Sequence, residues 1–284
     1  MFDKIWSLFG RESTLSASFQ VLSDLHLEIG QQYSSFKIPV CAKHLVLAGD
    51  VGRLVDYDNY RTFLKQQTEQ FELVFLVLGN HEFYNDTFVA GLERAQQLEK
   101  EPCMNGRLVL LNQRRFDIPE SSVTVLGCSL WSQIPDESRD MVRMKIQDFE
   151  KIKGWNVDDH NAAHKSDISW LLGEVRPISE ENKSRDQSEK RSILVTTHHA
   201  PSLKRTSEPK HEKKPWSVAF GTDVLNNLPR SSPVRAWVFG HTHYTTEFRE
   251  RGVRVVANQR GYVLPWMKMN EAKNGFDIGK VIHV

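Results

Sequence analysis

The chain predicts an α/β layered fold. Two observations carry this: short, uninterrupted apolar runs rich in β-branched residues recur along the sequence, and amphipathic helical patterns fall between them. Such runs suit strands buried on both faces of a sheet. A third regularity bears on function. Run after run ends in Asp, Asn or His, and in sheets of this kind ligands gather at the carboxyl ends of the strands.

The elements follow in order. FQVLSDLH (19–26) and HLVLAGD (44–50) read as the first strands. A helical pattern over 57–70 precedes FELVFLVLGNHE (71–82), and a second over 87–100 precedes RLVLLN (107–112). VTVLGCSLW (123–131) is next. Residues 132–191 differ in character: 134–155 is charged with helical spacing, 157–172 is an amphipathic helix, and 179–192 is polar enough for a disordered loop. This block is expected to be a helical insertion or cap on a domain spanning 19–284. SILVTTHH (192–199), a polar loop (202–214), VRAWVFGHTH (234–243), VRVVAN (253–258) and KVIHV (280–284) complete the pattern.

At 284 residues the chain can bury a substantial core in one large domain or one with an insertion. Its 37 Lys and Arg balance 36 Asp and Glu, which argues against a broad nucleic-acid surface. Three widely spaced cysteines, Cys41, Cys103 and Cys128, lack a CxxC pair and read as reduced thiols. Residues 1–18 form an N-terminal extension whose Asp3 and Lys4 interrupt any signal-peptide core. Its Ile5, Trp6, Leu8 and Phe9 suit a small amphipathic segment, one route to a homo-oligomer. No run approaches ~18 apolar residues, so no membrane span and a cytoplasmic location are expected.

The strand ends collect Asp24-Leu25-His26, Gly49-Asp50, Gly79-Asn80-His81-Glu82, His198-His199 and Gly240-His241-Thr242-His243. Each fragment alone is weak. Together they form an ordered set of carboxylate, imidazole and amide ligands at loop positions. Such a mixture suits zinc, iron, manganese, cobalt or nickel better than calcium or magnesium. Seven ligands are too many for one tetrahedral ion and natural for two. With only Asp24 and Asp50 carrying formal negative charge, a two-metal core stays positive and suits an anionic phosphate ester.

DLH, GD, GNHE, HH and GHTH, in this order over residues 24–243, resemble the calcineurin-like metallophosphoesterase superfamily. The resemblance implies a four-layer α-β-β-α sandwich of two mixed sheets flanked by helices, with a dinuclear centre of iron, manganese or zinc at the strand ends. It implies that Asp24, His26 and His243 hold one metal, that Asn80, His198 and His241 hold the other, and that Asp50 bridges them. It also implies that a metal-bridging hydroxide attacks phosphorus while His81, not a ligand, protonates the leaving group, and that Glu82 orients His81. Asp50, Asn80 and His81 are thus the expected catalytic residues. The protein Ser/Thr phosphatase branch resembles GDxxDRG and RGNHE, whereas this chain reads GDVGRL and LGNHE. The missing second Asp and Arg grip a phosphomonoester dianion in that branch. Their absence brings the pattern closest to the class III cyclic-nucleotide phosphodiesterases and favours small nucleotide-type diesters, 2′,3′- or 3′,5′-cyclic nucleotides among them. A phosphomonoesterase, including a protein phosphatase, and a catalytically silent metal-binding scaffold are the alternatives.

Other residues are weighed individually. Asn80, His81, His199, Tyr84 and Arg53 are candidate substrate contacts, with Arg53 equally suited to solvent. Tyr84, Trp131 and Trp155 could stack a base, although packing is the commoner use of such rings. His160 and His164 lie at i, i+4 like a zinc pair but lack a third ligand, so a polar helix face is expected there. His44, His211 and His283 read as ordinary residues, and NQRGY (258–262) as a turn bordering the site, without assigned chemistry.

Overall fold

The computed structural model describes residues 16–264 and 275–284. Residues 1–15 of the expected extension, with Ile5, Trp6, Leu8 and Phe9, lie outside the described residues. The described strands are β1 (Ser18–Leu22), β2 (His44–Ala48), β3 (Leu73–Val77), β4 (Leu108–Leu110), β5 (Arg114–Asp117), β6 (Val123–Cys128), β7 (Ser192–Thr197), β8 (Val234–Phe239), β9 (Thr246–Glu250), β10 (Val253–Ala257) and β11 (Val281–His283). The helices are α1 (Tyr57–Gln70), α2 (Phe88–Lys100), α3 (Arg139–Lys145), α4 (Asp148–Lys151) and α5 (Val157–Ser184).

The first sheet runs β11-β1-β2-β3-β4, parallel from β1 to β4 with β11 antiparallel at one edge. The second runs β5-β6-β7-β8-β10-β9, parallel from β6 to β10 with antiparallel strands at both edges. Side chains on a strand alternate between faces, and that alternation sorts the core into three sheets of contact. Leu45 and Leu47 pack with Tyr60, Phe63 and Leu64 of α1 and Leu98 of α2. Val46 and Ala48, one residue out of step, join Phe75, Val77, Leu194, Ala236 and Val238 between the sheets. Ile193, Val195, Trp237 and Phe239 pack against Leu171, Val175 and Ile178 of α5. The order of layers is therefore helices, sheet, sheet, helix. Each such aliphatic or aromatic side chain stabilises the fold by about 1.5–3 kcal/mol on burial. Leu47→Ala, fully buried, would cost about 2–5 kcal/mol.

Two strands carry no apolar run. RRFD in β5 and TEFRE in β9 are charged edge strands, whose exposed side needs no hydrophobic residue. The block 132–191 divides in two. Its first part forms α3 and α4 near the strand ends. Its second part is α5, which is the outer layer of the second sheet and continues to Ser184, so 179–184 is helix rather than loop. The helix starts on a capping box, in which Asn156 accepts from the Asp158 and Asp159 amides and Asp159 accepts from the Asn156 amide. The stripe Leu171, Val175 and Ile178 keeps it docked although its outward faces are polar. Among the described residues, no helix is long and apolar enough to cross a membrane.

Candidate metal centre

The carboxyl ends of β1, β2, β3, β7 and β8 meet at one edge of the sandwich. Backbone bonds tie them: Asp24 N donates to Gly49 O (3.0 Å), His26 N to Asp50 O (3.0 Å) and Gly240 N to His198 O (2.9 Å). Side chains join in, with His241 N donating to Asp24 Oδ1 and His81 N to Asp50 Oδ1, both at 2.9 Å. These bonds hold unusual backbone. Asp24, His26, Asp50, His241 and His243 all have positive φ, from 47° to 74°. For non-glycine residues this conformation costs on the order of 1–3 kcal/mol each, and such strain clusters at functional sites.

The turned strand ends bring the seven candidate ligands together. Donor atoms of Asp24, His26, Asp50 and His243 lie within 4.8 Å of one another, as do those of Asp50, His198 and His241. Asn80 Oδ1 lies 3.0 Å from His198 Nε2 and so belongs with the second group. Asp50 is common to both.

The residues fit a pair of ions. His198 Nδ1 donates to the Ala48 carbonyl at 2.9 Å, which leaves Nε2 facing Asp50 and Asn80. His26 turns Nδ1 to Glu28 (3.4 Å), and its Nε2 faces His243 Nε2 at 2.9 Å, so the two ring nitrogens converge. His241 Nε2 is buried with no hydrogen-bond partner among the described residues. Space around the carboxylates is tight: a Cβ on Gly79 would come within 2.2 Å of Asp50 Oδ1, and one on Gly240 within 2.7 Å of Asp24 Oδ2. Electrostatics agree. Burial opposes charge on His198, but Asp50 and Asp24 outweigh it and hold its proton up to about 10. Burial likewise opposes ionisation of Asp50, yet His198 and His81 keep it well below the usual carboxylate range.

His81 stands beside this set. Its Nδ1 lies 2.9 Å from Glu28 Oε1, its Nε2 3.1 Å from the Tyr262 hydroxyl, and its ring stacks on Tyr84 with centroids 4.2 Å apart. Burial lowers its pKa, but Asp50 and Glu28 more than offset this and raise it to about 9. Glu82 does not orient His81. Its carboxylate accepts from the backbone amides of Asp50 (2.9 Å), Val51 (2.8 Å), Gly52 (3.3 Å) and Gly79 (2.7 Å) and from Tyr60 Oη (3.0 Å). It braces the two turns that present Asp50 and Asn80, because amides in a buried turn need an acceptor. Arg53 is not at the site; its guanidinium pairs with Asp56 at 3.1 Å and does not line the cavity. His199 is fully buried between Trp131, His160 and His241, and burial pushes its pKa well down.

His160 and His164 form a buried face, not a solvated one. His160 Nε2 accepts from Ser132 N (3.2 Å), His164 Nδ1 donates to Leu130 O (2.8 Å), and Asp167 accepts from Leu130 N (2.8 Å). Leu130 and Trp131 both have positive φ, so this i, i+4, i+7 face of α5 clamps the strained turn after β6. Trp131 and Trp155 are buried in a cluster with Phe88, which is packing. His44 is also buried, against Phe19 and Phe75.

The family model for calcineurin-like phosphoesterases matches residues 18–245. The chain belongs to that family. An uncharacterised protein of Acanthamoeba polyphaga mimivirus is 25% identical over 267 residues, covering 85% of this chain and 90% of that one. In three dimensions the phosphoesterase is similar to the phosphopantetheinyl hydrolase of Mycobacterium tuberculosis, with a TM-score of 0.62 and 18% identity over 88% of this chain and 91% of that chain. It is also similar to a dimetal phosphatase from Danio rerio, with a TM-score of 0.51 and 13% identity over 85% of this chain and 86% of the other. At these identities the two structures speak for the fold.

The metal centre of this phosphoesterase opens into a cavity of about 430 Å³. Asp50, Asn80, His81, His241 and His243 line it together with Lys145, Gln147, Asp148, Leu203, Trp216 and Phe220. Lys145 and Lys214 place their ammonium groups 5.8 and 5.9 Å from the Trp216 ring, and Phe220 packs 4.8 Å from His241. His211, read from sequence as ordinary, lines this cavity too. Glu28 and Asp148 were not singled out by sequence; Tyr262 ends the NQRGY turn, which reads from sequence as bordering the site without assigned chemistry. Glu28 follows a turned, positive-φ His26 outside any strand, so no strand spacing marks it, and Asp148 carries no local signal. Burial raises the Asp148 carboxyl above the usual range, against the bonds it accepts from Tyr84 and Asn80.

Proposed function

We propose that this metal-dependent phosphoesterase is a phosphodiesterase acting on small nucleotide-type diesters, with 2′,3′- and 3′,5′-cyclic nucleotides as leading candidates. Two ions of iron, manganese or zinc, held by Asp24, His26, Asp50 and His243 on one side and by Asp50, Asn80, His198 and His241 on the other, would supply Lewis acidity to the phosphate and to a water. Asn80 adds a neutral oxygen, so the set attracts an anion without added negative charge. His81 delivers a proton to the departing oxygen; Glu28 on Nδ1 fixes its ring and keeps it charged. The flat walls of Trp216 and Phe220 receive the organic part of the ester.

The observation that carries the diester reading is the cationic inventory. Lys145 is the sole Lys or Arg among the described residues lining the cavity, and its ammonium sits over Trp216. Arg53, the obvious alternative, is turned to Asp56. A monoester dianion therefore lacks a guanidinium clamp of the kind that suits it, whereas a diester monoanion needs none. The test compares aryl phosphate mono- and diesters sharing one leaving group. It adds both cyclic nucleotide isomers, a linear dinucleotide and a phosphopantetheinyl ester, the last prompted by the structural neighbour. The diester should lead in kcat/KM by at least about tenfold; a lead for the monoester would make the protein a phosphomonoesterase. His81→Ala should lower turnover of an alkyl diester by about 10²–10⁴-fold with metal content unchanged.

A further inference from the structure

Asp148 opens α4 and reaches back into the metal centre from the 132–191 block. It is 1% exposed yet lines the cavity. Its two oxygens have different surroundings. Oδ1 accepts from Tyr84 Oη at 2.7 Å and from Asn80 Nδ2 at 2.8 Å. Oδ2 is buried and has no hydrogen-bond partner among the described residues. An acceptor this buried and unsatisfied costs on the order of 1–3 kcal/mol, a cost recovered only when something donates to it.

The bond to Asn80 sets the first consequence. With Nδ2 committed to Asp148, the amide must present Oδ1 to His198 and the second ligand group, as observed at 3.0 Å. The second consequence follows from distance. Asp148 lines the cavity and, through Asn80, is one hydrogen bond from a proposed metal ligand, so its carboxyl group stands in the wall of the space a phosphate would enter. A carboxylate there is repelled by a phosphate dianion and tolerates a monoanion better.

We propose that Asp148 is a specificity-determining residue: it fixes the Asn80 amide through Oδ1 and, as a carboxyl group in the cavity wall, favours phosphodiesters over phosphomonoesters. This rests on the phosphodiesterase reading above and adds its physical basis. Hydrolysis of a diester adds water across one P–O bond, giving an alcohol and a monoester that ionises further. The residue that disfavours the dianion thus also speeds release of that product and prevents its second hydrolysis.

The experiment uses the full-length, metal-loaded protein and the aryl mono- and diester pair, with metal content measured on every variant. Asp148→Asn preserves size and an acceptor for Tyr84 and Asn80 while removing the charge. The diester-to-monoester ratio of kcat/KM should fall at least about tenfold, and inhibition by inorganic phosphate should tighten. Tyr84→Phe, which removes one of the two donors that hold Oδ1, should shift the ratio in the same direction by less, and it serves if Asp148→Asn does not fold. An unchanged ratio in both variants overturns the proposal while leaving the phosphodiesterase reading intact. Loss of a metal ion from Asp148→Asn also overturns it, because Asp148 would then only scaffold Asn80. A wild-type protein that prefers the monoester overturns both.

Discussion

The two sheets of the sandwich contribute unlike chemistry to one centre. The first sheet, through the ends of β1, β2 and β3, supplies both carboxylates, the amide and a single imidazole: Asp24, Asp50, Asn80 and His26. The second, through β7 and β8, supplies imidazoles alone: His198, His241 and His243. Each ligand group draws from both sheets. Ions held there would therefore also clamp the two sheets together. The two sides are braced differently as well. Glu82 collects four backbone amides of the turns after β2 and β3, whereas His160, His164 and Asp167 of α5 clamp the turn after β6.

Asp50 links the halves, and its removal is the severest test. Asp50→Asn should lose both ions and lower phosphoester turnover by at least about 10³-fold, read by metal analysis and steady-state rates. One-sided variants should split the pair. Asp24→Ala and His198→Ala are each expected to retain one ion per chain and to lose about 10²–10³-fold in rate; loss of both ions from either would show that the groups do not act separately.

The braces come next. Glu82→Gln keeps shape but turns an acceptor of four amides and a hydroxyl into a partial donor. It should cost about 2–4 kcal/mol in denaturant unfolding, with reduced metal occupancy. The α5 clamp should show itself in pH dependence. Burial, with His164 adding to it, lowers His160 to about 3, and burial lowers His164 as well. A histidine depressed in the folded state is protonated preferentially in the unfolded one, so stability falls as pH drops from about 6.5 toward 3. His160→Gln should lessen this acid slope by at most about 1.4 kcal/mol per pH unit in chelator-stripped protein. An identical slope would mean that His160 does not titrate on unfolding.

Much of this was legible in the amino-acid order. Strand ends are local features, so DLH, GD, GNHE, HH and GHTH could be read with their positions, and the span of α1 follows from its apolar spacing. The misreadings share one cause. His160 and His164 were expected on a polar helix face without a further role; that polar face is buried, because the strained Leu130–Trp131 turn needs partners. The polar 179–192 run hid the end of α5 because one narrow stripe suffices to dock a helix. Charged β5 and β9 hid because an edge strand can face water.

The sequence by itself determined the ligand types, their order and the layered α/β class, because these depend on residue chemistry and short periodicities. Tertiary structure alone decided the pairings across the chain: His26 meets His243 from 217 residues away, and Tyr262 reaches His81 from 181. It also decided that Glu28 holds His81, that Glu82 braces turns, and that Asp148 enters the site. Such roles are set by which buried polar atoms find a partner, and that becomes fixed only when the sheets close over one another.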